Sequence, residues 1–508
     1  MSNASTSWAR LPPELRNEVL KILPDHGGKC SQLATVSREW HSVLEPLNFA
    51  EISLTPSRLF DSDSRAILFR KRSLIRYIWF RVELLPYDCP ECPQEDEQVF
   101  DYNETDGNLV VYAFTALTAL LSMWEPRSNL VLDISVYSPD DTSHCFKYLS
   151  FRPDTHRGEC SSLLQRSSER DQQVIPTIHD PSHGWVAGRQ TVAPNELSIY
   201  NSFEEIMSRA SFQDEQHEIR CWQRLPLVPA VTVVLLRQQT RRRWLPTSIA
   251  YMLTRFPNMK ELCYEPWREW SQASQQQTDE RNRALIDSLQ QTKLSKLTIF
   301  ENFNEAYPKS LPQCPAIRKP SPAVSHKLAR ASLQLTELSA SFVINASCFL
   351  YAGKGFSLEW DNLTRLMLTS RGFTEDADIE YINSVLQDAA GAALKMPKLE
   401  TMELWNGRHG VAMLFRYQKA RDGQSAVITV RGTFKLALGS TVTEAWDAVA
   451  LRHRHGRVVV QSSLINPAVI RSHGDAICQL GLSAEVIRPV SLQQIIEEHK
   501  IRAGLMTN

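Results

Sequence analysis

An apolar frame, Leu-x-x-Leu-x-Leu, recurs along the middle of this 508-residue chain and limits what it can fold into. Its copies are set by Met259, Leu262 and Tyr264; by Leu294, Leu297 and Ile299; by Leu335, Leu338 and Ala340; by Leu363, Leu366 and Leu368; and by Leu399, Met402 and Leu404. The last three residues of each frame alternate, so each predicts a short strand with one buried face. Helix-like segments at 247–256, 278–292, 323–333 and 376–394 each precede a frame. One strand and one helix cannot bury their apolar faces alone, so neighbouring units must stack.

The frame, with Asn302 closing the second copy, is that of a leucine-rich repeat. Successive copies start 28 to 41 residues apart, mostly beyond the regular period of about 20–29. The expected fold class is therefore α/β: an irregular leucine-rich-repeat-like β/α solenoid over residues 51–410. The rival is a doubly wound α/β domain, which also alternates strand and helix. Residues 411–508 change character: two runs around a turn at 419–423 predict a hairpin, and helices are expected over 441–454, 470–480 and 491–502. They read as a small α+β cap closing the solenoid. Residues 154–220 are polar and read as a partly disordered insertion. Residues 307–322 form a second, Pro-rich loop.

The first fifty residues carry a different pattern. Leu11, Pro12, Glu14 and Leu15 lead into an apolar-periodic stretch with Val19, Leu20, Ile22 and Leu23. Pro13 suits the first turn of a helix, and Glu14 complements its positive end. After a Gly27-Gly28 turn, Leu33, Val36, Trp40, Val43 and Leu44 mark a second helical face, with Ser37 and Arg38 inside it. Leu11, Pro12, Glu14, Leu15, Val19, Leu20, Leu33, Val36, Ser37, Arg38 and Trp40 together resemble an F-box, over residues 8–50. The Gly27 to Cys30 turn departs from that family. The resemblance implies docking of Leu11, Pro12, Glu14, Leu15, Val19, Leu20, Leu33, Val36, Ser37 and Trp40 onto the Skp adaptor of a cullin-based ubiquitin ligase. The segments 79–92, 124–151 and 397–417 also resemble filamentous-fungal F-box-like proteins of unknown function.

The resemblance implies that the repeat surface presents a protein substrate. Residues between the framed ones point to the other face of each strand. That face is expected to expose Glu261, Glu265, Lys296, Phe300, Glu337, Arg365, Glu403 and Trp405, with Glu265, Phe300, Arg365, Glu403 and Trp405 as the substrate-contacting set. The alternatives are a non-catalytic scaffold, whose N-terminal helices would pack on the repeats with their apolar face covered, and an α/β enzyme without a recognisable nucleophile motif.

Other constellations carry less. Cys89 and Cys92 have the spacing of half a zinc site, and no second pair completes it. His453 and His455 read as a surface pair, with His409 and His473 the nearest others. Arg241, Arg242 and Arg243 read as a solvated basic loop. Gly353, Lys354 and Gly355 lack a phosphate-loop frame and read as a turn. Lys plus Arg total 56 and Asp plus Glu 57, a formal charge of -1, which argues against nucleic-acid binding through bulk charge. A polar N-terminus, no apolar run long enough to span a bilayer and ten scattered cysteines predict a cytoplasmic or nuclear chain without cofactor, metal or membrane partner.

Overall fold

The computed structural model describes residues 8–23, 30–86, 104–126, 129–154, 178–207, 212, 214–309, 311–355, 358–419, 424–453 and 456–503. Cys89, Cys92 and His455 lie outside these. Three helices come first: α1 (Pro13–Ile22), α2 (Cys30–Leu33) and α3 (Arg38–Ala50). Then follow β1 (Glu51–Leu54), α4 (Pro56–Phe60), α5 (Ser62–Lys71), β2 (Tyr77–Glu83), α6 (Glu104–Leu121) and β3 (Leu130–Tyr137). The described part of the polar stretch, from residue 178 on, is built of small folded pieces: β4 (Trp185–Val186), β5 (Arg189–Gln190), α7 (Glu196–Ser202), β6 (Glu205–Ile206) and α8 (Glu215–Arg224). The framed region runs β7 (Val231–Leu236), β8 (Arg243–Trp244), α9 (Pro246–Leu253), β9 (Glu261–Tyr264), α10 (Gln272–Leu289) and β10 (Lys296–Phe300). It continues with α11 (Pro322–Ala331), β11 (Glu337–Ser341), α12 (Ala346–Gly355), β12 (Arg365–Thr369), α13 (Ile379–Ala393) and β13 (Thr401–Arg408). The chain ends with β14 (Val411–Gln418), β15 (Val427–Gly432), α14 (Ser440–Arg452), β16 (Val459–Leu464), α15 (His473–Leu480) and α16 (Pro489–Ala503).

Twelve strands make one sheet in the order β1-β2-β3-β7-β9-β10-β11-β12-β13-β14-β15-β16. The order never reverses, so the sheet lacks the switch point of a doubly wound domain. Pairing is parallel except where β14 pairs antiparallel with β13 and β15. The first of those reversals turns at His409 and Gly410, whose φ of 72° suits glycine.

The frames stack in register. Leu262, Leu297, Leu338, Leu366 and Met402 lie side by side, and Tyr264, Ile299, Ala340, Leu368 and Leu404 form the next row. Both rows face α9 to α14, each of which packs on the next. Burying each such leucine stabilises the fold by about 2–3 kcal/mol, so the rows define one continuous core.

Three expectations change here. Residues 178–207 are not a loose insertion: Trp185, Ile199 and Phe203 are buried with Tyr148, Trp267, Trp270 and Tyr307 in a separate aromatic cluster. The Pro-rich 307–322 loop contributes the fully buried Tyr307 to it. The 411–508 segment is not an end cap. The β14–β15 pair forms as the hairpin signal predicts, but inside the main sheet. Helices α15 and α16 then return along the face opposite the helix layer, where Ile477, Leu480, Leu492 and Ile495 bury Phe300, Met367, Trp405 and Leu414.

Candidate functional site

The structure settles the strand register as the frame predicts, and reverses what lies on the second face. Glu265, Phe300, Glu403 and Trp405, expected to be exposed, are all buried. The physical reason is the return of α15 and α16, which no local pattern in the strands announces. Phe300 and Trp405 face that pair as core.

The two acids hold the returning segment in place. Glu265 accepts hydrogen bonds from the Arg488 amide at 2.7 Å and Ser491 Oγ at 2.5 Å, at the start of α16. It also accepts from the Gln238 amide at 3.1 Å. A carboxylate there complements the positive end of the helix. Burial nonetheless raises its pKa against these bonds. Glu403 accepts from the Ser483 amide at 2.9 Å and pairs with Arg416.

The arginine run is likewise not a solvated loop. Arg241 is fully buried; it pairs with Glu498 of α16 at 2.9 Å and lies 4.1 Å from the Trp267 ring centroid. Tyr148 and Tyr307 each donate to Glu498 at 2.7 Å. Burial alone would raise the Glu498 carboxyl, but Arg241, Arg502 and these bonds hold it down at about 2. Arg242 meets Asp141 at 2.9 Å and Glu204 at 3.0 Å, and Arg243 pairs with Glu269. Of the histidines, His453 ends α14, and His473 is buried, its Nε2 2.8 Å from Asn302 Oδ1. Gly353 and Lys354 lie within α12 and not in a turn.

Part of the second face remains open. Glu261, Lys296, Glu337 and Arg365 pair in register at the strand starts, as a row of alternating charge. Lys296 meets Glu261 at 3.1 Å and Arg365 meets Glu337 at 3.6 Å. Arg365, 41% exposed at its side chain, is the accessible member of the expected substrate-contacting set. The row borders a cleft of about 290 Å³ walled by Ser483, Ala484 and Glu485.

The N-terminal helices form a separate surface. Ser37 caps α3, its Oγ accepting the Trp40 amide at 3.2 Å. Trp8 packs against Trp40 and donates to Glu39 at 3.1 Å, and Arg16 pairs with Glu39 at 3.0 Å. These contacts, with the buried Leu20 and Leu44, lock α1 onto α3. Leu20 is therefore interior packing and not a contact residue. Leu33 and Trp40 are half-buried, whereas Leu11, Pro12, Glu14, Leu15, Val19, Val36 and Ser37 are exposed. Leu15, Val19 and Ile22 follow helical spacing on one side of α1, and Leu15 is 53% exposed and Val36 60%. An amphipathic helix normally turns such a stripe inward. This module turns it to solvent, which sequence spacing alone could not show.

Residues 288–488 match a family model, DUF6546, described as a family of unknown function. The match spans β10 to β16 and α15, and lies outside the N-terminal helices. No curated protein matches the chain.

Proposed function

We propose that this chain is the substrate-recognition subunit of a Skp–cullin–F-box ubiquitin ligase. The observation that carries the reading is the outward apolar stripe of α1, Leu15, Val19 and Ile22, with Leu11 just before the helix and Val36 before α3 also exposed. A scaffold that used these helices as a cap would cover that stripe. Here a few exposed aliphatic anchors on a rigid helix pair suit docking into an apolar groove of a partner, in which such anchors carry most of the binding energy. The partner is the Skp adaptor, and the cullin scaffold is reached through it.

The sheet is read as an irregular leucine-rich-repeat-like solenoid, supported by the in-register frames and the single-file strand order. A protein substrate would meet the open charged row of Glu261, Lys296, Glu337 and Arg365 beside the 483–485 segment. In this reading the chain is not an enzyme and works in the cytoplasm or nucleus. Among the described residues, no helix is long and apolar enough to cross a membrane.

Co-purification with the Skp adaptor tests the proposal. The wild-type chain is expected to capture it, and Leu15→Asp combined with Val19→Asp to weaken capture at least tenfold, because a buried unpaired charge costs well over 1.4 kcal/mol. Both positions are exposed in the free chain, so the variant keeps its fold. Capture that is absent in wild type, or equal in the variant, ends the proposal.

A further inference from the structure

A cleft of about 480 Å³ opens beyond the C-terminal ends of β10 to β13. Its size falls in the usual range of small-molecule sites, about 300–1,000 Å³. Four arginines line it: Arg268, Arg318, Arg371 and Arg408. Three acids line it too, and each has a local role. Glu301 pairs with Arg318 at 2.6 Å. Glu305 accepts the His409 amide at 2.8 Å. Hydrogen bonding from Thr374 and its own amide, aided by the charge of Arg408, holds the Asp376 carboxyl below its ordinary pKa.

Two guanidiniums are left without an ion pair, although the charge of Arg408 is felt by Asp376. Neither Arg371 nor Arg408 has a carboxylate within 4.0 Å among the described residues. Deeper in, Arg318 Nη1 and Arg268 Nε are buried without an acceptor among the described residues, and the Arg318 side chain is 8% exposed. Those two atoms are closed off from the cleft, and Arg318 is paired with both Asp279 and Glu301, so the arginines open to a ligand are Arg371 and Arg408.

Phe303 and Phe342 also line the cleft. Phe303 stacks on His473 at 4.3 Å and meets Phe342 edge-on at 5.0 Å. Phe342 has a φ of 63°, a left-handed conformation rare for a bulky residue. It is held there by its amide donating to Thr369 Oγ1 at 2.7 Å and by its ring against Trp405. Such strain costs about 1–3 kcal/mol and clusters at binding sites.

We propose that this cleft binds a small organic anion, its flat apolar body against Phe303 and Phe342 and its carboxylate or phosphate between Arg371 and Arg408. Forked guanidiniums match both headgroups, and an aromatic wall supplies stacking for a ring. Arg318 is already paired with Asp279 and Glu301, and Arg268 is bonded to the Ala316 carbonyl, so the anion's charge falls to Arg371 and Arg408.

Phenyl phosphate, benzoate, benzyl alcohol and inorganic phosphate would be titrated by calorimetry into the full chain. At least one aromatic anion is expected to saturate, with benzyl alcohol and inorganic phosphate at least tenfold weaker. Arg371→Ala with Arg408→Ala should weaken the aromatic anion at least tenfold. Its circular dichroism and adaptor capture should match wild type, so this proposal and the ligase reading fail separately. Phosphate over carboxylate, or the reverse, identifies the headgroup. No saturation by either aromatic anion up to about 10 mM, binding unchanged in the double variant, or inorganic phosphate binding as tightly as phenyl phosphate would overturn the assignment.

Discussion

Arg241 and Glu498 sit 257 residues apart and meet at 2.9 Å in an interior closed to water. Removing one partner leaves the other charged and buried. Glu498→Gln should therefore cost about 3–5 kcal/mol in urea unfolding followed by tryptophan fluorescence. Replacing both, as Arg241→Met with Glu498→Leu, should recover only part of that loss: the apolar pair avoids the desolvation cost, but the buried Tyr148 and Tyr307 hydroxyls lose their acceptor. Acid adds a second handle. Burial holds His473 neutral, with its pKa lowered from 6.5 to about 3. Its contribution is complete above pH 6.5 and lost as pH falls from there towards about 3. Glu498, lowered from 4.5 to about 2, gives a further loss between those values. At these two sites the unfolded chain binds more protons, so their contribution falls with falling pH, against buried acids of raised pKa such as Glu301 and Glu265, which act in the opposite sense. His473→Asn should therefore reduce the loss of urea midpoint between pH 7 and pH 4, and an unchanged loss would contradict this. None of these residues was legible from sequence. Three consecutive arginines resemble a surface run because their acids, Asp141, Glu269 and Glu498, lie far away in the chain. Residue spacing reports local periodicity, whereas a buried ion pair is a product of tertiary closure.

At the scale of elements, much more was legible. The frames located β9 to β13 because their period-2 alternation and buried leucines are local consequences of one-sided burial. Helix α12 was missed. Gly353 and Gly355 suggest a turn by propensity, and the burial of Phe349 and Leu350 overrides them. Gly353 is kept small by Trp360, whose ring lies 3.2 Å from where a Cβ would stand. The module's own cap is testable. Ser37→Ala should destabilise α3 by about 1 kcal/mol, seen as faster amide exchange at Trp40 and its neighbours with the sheet unaffected. A close approach of β13 to α15 gives another test. A Cβ on Gly407 would stand 2.6 Å from Ala476 Cβ. Gly407→Val should cost about 1–3 kcal/mol through displacement of α15, and a thermal midpoint equal to wild type would show that the helix yields freely.

At the scale of the whole fold, a single-file sheet is fastened by α15 and α16. Each strand pairs with a near neighbour in sequence, but α16 reaches back to Tyr148, and Arg488 just before it to Asp154. Ending the chain after residue 470 should uncover Phe300, Met367, Trp405 and the aromatic cluster around Trp267. Such a truncation is expected to bind a hydrophobic dye and lose near-ultraviolet circular dichroism while keeping helical signal. During synthesis this order has a consequence. Strands can zip together as they leave the ribosome, yet Glu498 reaches Arg241 only after another 257 residues have been made. A chain stopped before α16 would display the apolar surface that helix covers and leave Arg241 without its acid. The fold thus depends on a contact that synthesis delivers late, long after the strands it closes over.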